Sequence, residues 1–216
     1  MSLFRTINYR FGFTSLMLAT VCLCANVFAD YAEPDESLPE PHKIVQDITN
    51  RLLLVIGDEQ LDPIENPDAF YQRATEILDA VVAFDYIAKG VMGNYAEQIT
   101  PEQRLQFTEA FKKGLVNTYS KGVAGFVNSV NIATLKPEAD ISKEKRVAVI
   151  QEIISNGTTT TVSYTMAKNR DKQWKLINVV LNGVNLGKTF RGQFDQAVKD
   201  NQGDVVKVIN DWGKDS

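Results

Sequence analysis

The chain has 216 residues, a formal net charge of −4 (23 Lys and Arg against 27 Asp and Glu), one histidine and two cysteines. That length suffices for one domain with a sizeable core, and the acidic balance argues against a nucleic-acid partner. A single histidine, His42, and cysteines confined to positions 22 and 24 leave a histidine triad or a His-rich metal centre little to draw on.

The first ten residues carry Arg5 and Arg10 and no acid, and they run into FGFTSLMLATVCLCANVFA, which ends in Val27-Phe28-Ala29 before Asp30. This is the pattern of a secretory signal peptide cleaved after Ala29; its uninterrupted apolar part is short for a bilayer of about 30 Å. Neither cysteine lies in a lipoprotein context, so the mature chain, residues 30–216, is expected to have no thiol and to fold in the periplasm on its core alone. The stretch 30–41, acidic and holding Pro34, Pro39 and Pro41, reads as a flexible leader. A single domain over 42–216 follows.

Ile44, Ile48, Leu52 and Val55 recur at helical spacing, and PDAFYQRATEILDAVVA repeats the pattern after Pro67, a residue suited to a first helical turn. FDYIAKGVMGNYAEQ reads as a shorter helix broken around Gly90 and Gly93, with Asp85 expected to cap it. Thr100-Pro101-Glu102-Gln103 has the form of a capping box, opening a long helix on which Phe107, Phe111, Leu115, Tyr119, Val123 and Phe126 share a stripe.

After Lys136-Pro137 the period changes. RVAVIQEIIS and TTTTVSYTMAK are β-branched runs joined by Asn156-Gly157, the preferred pair for a two-residue hairpin turn, and DKQWKLINVVLNGV supplies a third long strand. The C-terminal part returns to helical spacing in two pieces separated near Gly203. Helices, an antiparallel meander, then helices is the α+β order.

GVNLGKT, at 183–189, resembles a phosphate-binding loop, but Gly183 and Gly187 enclose three residues where such a loop has four, and there is no βαβ setting. It reads better as a strand end and a helix start, with Phe190 and Phe194 packing that helix on the sheet. The acidic pairs Asp58/Glu59 and Glu138/Asp140 read as solvated turns. On the long helix, Gly114, Gly122 and Gly125 each cost about 1 kcal/mol relative to alanine, and with Ala110 and Thr118 they set small side chains beside the aromatic stripe. Either a neighbouring element approaches closely there, or a groove opens.

FDYIAKGVMGNYAEQITPEQRLQFTEAFKKGLVNTYS and WKLINVVLNGVNLGKTFRGQF resemble the characteristic segments of the MlaC (toluene-tolerance) family: Phe-Asp-aromatic, Thr-Pro-Glu-Gln-Arg with spaced phenylalanines, the Trp-Lys strand, the Gly-Val pair and an aromatic-Arg-x-x-Phe helix. The resemblance covers roughly residues 40 to 213. Asn182 replaces a common acid, Gly187 and Lys188 replace more apolar residues, and Thr189 stands where Asn is frequent.

The resemblance implies a twisted antiparallel sheet of cystatin/NTF2-like kind, wrapped by several helices around an apolar lipid pocket. It implies a periplasmic phospholipid carrier, without enzymatic activity or cofactor, that moves lipid between outer and inner membranes and maintains outer-membrane lipid asymmetry. Its partners would be an inner-membrane ABC transporter complex, met through an MCE-domain subunit, and an outer-membrane lipoprotein–porin complex. The expected pocket wall comprises Phe84, Ile87, Val91 and Met92 from the broken helix. The long helix adds Phe107, Phe111, Leu115, Tyr119 and Val123, and the strands add Val149, Val162, Tyr164, Met166, Trp174 and Leu176. Alternation along the strands shows which residues share a face, not which face meets ligand. Competing readings are an NTF2/cystatin-like periplasmic enzyme, a periplasmic adaptor with a filled core, and a carrier for another lipid such as a hopanoid.

Overall fold

Three β-branched runs separated by tight turns fold back on one another and set the frame. The computed structural model describes residues 35–124 and 130–213, apart from the side chains of 119–124; the expected signal peptide and residues 30–34 of the expected leader fall outside them. The strands are β1 (Val130–Thr134), β2 (Arg146–Ser155), β3 (Thr158–Lys168), β4 (Trp174–Leu181) and β5 (Val184–Asn185), antiparallel neighbours throughout in the order β1-β2-β3-β4-β5. With α1 (Glu40–Ile56), α2 (Pro67–Asp79), α3 (Phe84–Met92), α4 (Pro101–Ala124), α5 (Leu186–Asp200) and α6 (Val205–Asp211), the fold is α+β.

The turns follow their residue types. Asn156 and Gly157 have φ of 49° and 75°, and Asn182 and Gly183, between β4 and β5, repeat the arrangement at 46° and 83°, a conformation asparagine tolerates and glycine adopts freely. Asn182 is further fixed because its Oδ1 accepts from the Thr161 N–H at 2.9 Å. β1 and β5 are strands that sequence periodicity did not single out. Both are short and draw their ladder from longer neighbours.

One face of the sheet is buried. Val147, Val149 and Gln151 of β2 stand opposite Met166, Tyr164 and Val162 of β3, while the intervening Ala148 and Ile150 are exposed. Gln151 is tolerated inside because its Oε1 accepts from Thr49 Oγ1 (3.1 Å) and its Nε2 donates to Thr134 Oγ1 (3.0 Å). In β4 the register shifts: Met166 pairs with Leu176 but Thr165 with Asn178, so one residue is inserted and the in–out alternation changes phase.

Helix starts are mostly encoded locally. At α4 the Thr100 N–H donates to Gln103 Oε1 and the Gln103 N–H donates to Thr100 Oγ1, at 2.9 and 3.3 Å, the reciprocal arrangement of a capping box. At α3 the expected cap is not made: Ala83 occupies the N-cap without a side-chain bond, and Asp85 lies in the first turn, exposed, where its charge meets the helix dipole. Instead, the α2–α3 connection is held to the sheet. Leu176 N–H donates to Val81 O at 2.9 Å, and Ala83 N–H donates to Leu176 O at 3.0 Å.

Among the described residues the apolar interior forms three clusters. One joins α3, α4, α5 and α6 around Phe107, Phe111 and Phe194; here Phe194 meets Phe107 edge-on at 4.9 Å and Trp212 at 5.6 Å, so it packs within the helices and not on the sheet. A second joins α1 to β2, β3 and β4 through Val45, Val147, Val149, Met166 and Trp174. The third joins α1, α2 and α4 through Val55, Phe70, Ala74, Ile77 and Val116. Lys112, 8% exposed, ties α4 to α2: its ammonium lies 3.3 Å from Asp79 and 3.2 Å from Glu109, and over the Phe84 ring.

Residues 35–41, part of the expected leader, are folded against the domain. Leu38 and Pro41 are buried, Asp35 and Glu36 pair with Lys136 and Lys43, and α1 starts at Glu40. His42 is 1% exposed, its Nδ1 has no partner among the described residues, and burial pushes its imidazole below the ordinary 6.5. The folded chain therefore holds His42 neutral where the unfolded chain takes up a proton. Stability is expected to be flat above about pH 7 and to fall as pH drops through 6.5, by at most about 1.4 kcal/mol per pH unit for one proton. Urea unfolding at pH 7.5, 6.5 and 5.5 measures the slope, and His42→Leu should remove it.

Candidate functional site

The three clusters do not merge. Between them lies a cavity of about 460 Å³, within the roughly 300–1,000 Å³ usual for small-molecule sites. The end of α2, its connection to α3 and α3 itself contribute Leu78, Val82, Phe84 and Ile87; α4 contributes Phe111, Leu115 and Val116. The sheet supplies Val162 and Tyr164 from β3 and Leu176, Asn178, Val179 and Leu181 from β4, and α5 closes the wall with Leu186, Gly187 and Phe190. Phe111 belongs to the first cluster, Val116 to the third, and Tyr164 and Leu176 pack against the second.

Of the residues expected at a pocket wall, Phe84, Ile87, Phe111, Leu115, Val162, Tyr164 and Leu176 line this cavity. Val91, Met92 and Phe107 are instead packed in the α3–α6 cluster, and Val149, Met166 and Trp174 in the cluster beneath α1. The side chains of Tyr119 and Val123 lie outside the described ones. Burial separates the groups only partly, since both are apolar and both face inward. Three of the wall residues not anticipated have identifiable causes: Val179 and Leu181 face inward because the β4 bulge changes the phase of alternation, and Phe190 stands edge-on to Phe111 at 5.2 Å.

Two lining side chains carry polar atoms. Burial pushes the Tyr164 phenol up to about 12, and the nearby Thr49 hydroxyl opposes that shift. Asn178 lies at the sheet edge where β5 gives way to α5, and its Oδ1 accepts from the Gly187 N–H at 3.3 Å. A Cβ on Gly187 would come within 2.7 Å of that oxygen, so glycine is needed for the two elements to approach this closely. The stretch resembling a phosphate loop is thus used otherwise: Gly183 completes the β4–β5 turn, Asn185 Oδ1 caps α5 by accepting from the Lys188 N–H, and Gly187 receives Asn178.

Two further cavities flank the first. One of about 530 Å³ between α4, α5 and α6 shares Phe111, Leu115 and Phe190 with it. Another, about 650 Å³, lies beside the end of α3 and is mixed in character, with Val91 and Met92 as well as Lys188, Arg191, Tyr95 and Asp195 in its wall; there the Tyr95 hydroxyl donates to Asp195 Oδ1 at 3.0 Å. Among the described residues no group of three or more His, Cys, Asp or Glu is placed to hold a metal, and no helix is long and apolar enough to cross a membrane.

The family model described as "MlaC protein" matches residues 46–214. Toluene tolerance protein ttg2D of Pseudomonas putida is 36% identical over 173 residues, 80% of this chain and 79% of the relative. Among solved structures, the phospholipid-binding protein from Ralstonia solanacearum, determined in complex with a phospholipid, superposes with a TM-score of 0.71 at 23% identity, over 81% of this chain and 97% of that one. At that identity the likeness concerns the fold.

The Asn178–Gly187 contact yields a direct check. Gly187→Ala is expected to lower unfolding stability by about 1–2 kcal/mol by displacing Asn178 or the first turn of α5. In an Asn178→Ala background the same substitution should cost less, and denaturant unfolding of the four proteins measures the coupling.

Proposed function

The chain belongs to the MlaC family, and from that premise we propose that it is a periplasmic phospholipid carrier whose acyl chains occupy the cavity between the three apolar clusters. The observation that carries this reading is the chemistry of the wall: among the described residues, apart from Tyr164 and Asn178, it is made of apolar side chains and Gly187, drawn from helices and sheet alike. Such a lining imitates the interior of a bilayer.

The magnitudes explain why a carrier is needed. Burial of a methylene is worth about 0.8 kcal/mol, so two long acyl chains represent more than about 20 kcal/mol against water. Free diffusion of lipid across an aqueous compartment is thereby prevented, whereas exchange between membrane and an equally apolar cavity involves a small net change. The carrier then needs no nucleotide site, and direction comes from its partners. We assign those roles to an inner-membrane ABC transporter reached through an MCE-domain subunit and to an outer-membrane lipoprotein–porin complex. Targeting by a signal peptide cleaved after Ala29 completes the proposal.

The same wall argues against catalysis. A carboxamide does not titrate, and a phenol pushed up to about 12 stays protonated near neutral pH. Neither is matched to proton transfer there.

Protein purified from the periplasm is expected to carry phospholipid, identified by native mass spectrometry and lipid extraction. Leu115→Glu and Val162→Asp each set a charge against the cavity, and each should lower the bound fraction severalfold in protein whose circular dichroism shows it folded. Wild-type protein that emerges free of lipid would count decisively against the carrier reading.

A further inference from the structure

We propose that Asn178 is a ligand-recognition residue, its Nδ2 amide donating a hydrogen bond to an acyl carbonyl oxygen of the lipid held in the apolar cavity. The inference rests on the carrier reading and deepens it. The side chain lines the cavity, and its orientation is set by the Gly187 N–H, which donates to Oδ1 at 3.3 Å. That bond occupies the acceptor end and leaves the amide hydrogens, which have no partner among the described residues, as the donors this side chain can offer.

The ligand chemistry follows. A donor set among apolar side chains selects an acceptor that is covalently attached to a chain the cavity can bury. A fatty acyl carbonyl has that character, whether in a glycerolipid ester or as the carboxylate of a free fatty acid. The position fits an ester: Lys188 and Arg191, which line a second cavity together with Asp195, directly follow Gly187 and Phe190 of the apolar wall along α5, so cationic side chains are close to it in the chain. A phosphate lies a few bonds from the ester carbonyls of a phospholipid. Asn178 is thereby assigned to the glycerol backbone of the lipid, with the chains lying along the apolar remainder of the wall.

The test compares delipidated wild-type protein with Asn178→Leu and Asn178→Asp, the latter retaining an acceptor for the Gly187 N–H but lacking the donor. The probes are dipalmitoyl phosphatidylglycerol, its dihexadecyl ether analogue, which has no carbonyls, and palmitate. Wild-type protein should bind the ester about threefold to tenfold more tightly than the ether, as one hydrogen bond warrants, and both variants should bring the ratio close to one. If the variants weaken palmitate binding and leave the ester-to-ether ratio unchanged, the amide serves a free carboxylate. Equal binding of ester and ether by the wild type, with palmitate affinity the same in all three proteins, overturns the assignment while leaving the carrier reading in place. Failure of the wild type to bind any of the three probes overturns both.

Discussion

The edge of β4 that faces away from β3 organises this molecule. Leu176 is hydrogen-bonded in both directions to the α2–α3 connection, and Val180 and Leu181 pair with β5, so α3 and α5 both depart from the same edge, a few residues apart. Between these attachments lie the bulge and Asn178, bonded to Gly187. Helices anchored at the rim cannot settle fully onto the sheet face. Among the described residues the apolar interior is divided among three clusters, where a domain of this size usually has one contiguous core, and the cavity lies between them.

Much of the frame was legible in the sequence because it is specified by short-range chemistry. Thr100 and Gln103 announce α4, Asn156-Gly157 announces the β2–β3 hairpin, and the change from 3.6-residue to two-residue periodicity after Pro137 announces the sheet. β1 and β5 were not legible, because five-residue and two-residue strands take their stability from partners and not from their own propensity. The cavity was only partly legible for a related reason. Phe107 and Phe111 are one helical turn apart on the same stripe, yet the first is surrounded by Phe194 and Trp212 and the second also faces the void. Which of two inward-facing phenylalanines meets open space depends on where the partner elements stop, and that is a tertiary fact. The inserted residue in β4 has no strong local signature either, and it decides that Val179 and Leu181 join the wall.

The GVNLGKT segment shows how a motif resemblance is resolved by context. Its glycines serve a hairpin turn and a close contact with a side-chain amide, and its helix N-terminus is already capped by Asn185. The backbone N–H groups of Gly187 and Lys188 that a phosphate would need are committed to Asn178 and Asn185. Lipid movement proposed for this family member draws on no such site, since the energetic requirement is similarity between two apolar environments.

The outward face of the sheet has its own bearing on how such a protein works. Ile150 and Ile154 are exposed there, but they stand opposite Ser163 and Thr159, so hydroxyl-bearing neighbours interrupt what would otherwise be a continuous greasy back. A shuttle has to let go of every dock it visits. A face patterned in this way stays wetted and offers no continuous apolar area along β2 and β3, so the more apolar surface of this sheet is the one turned inward.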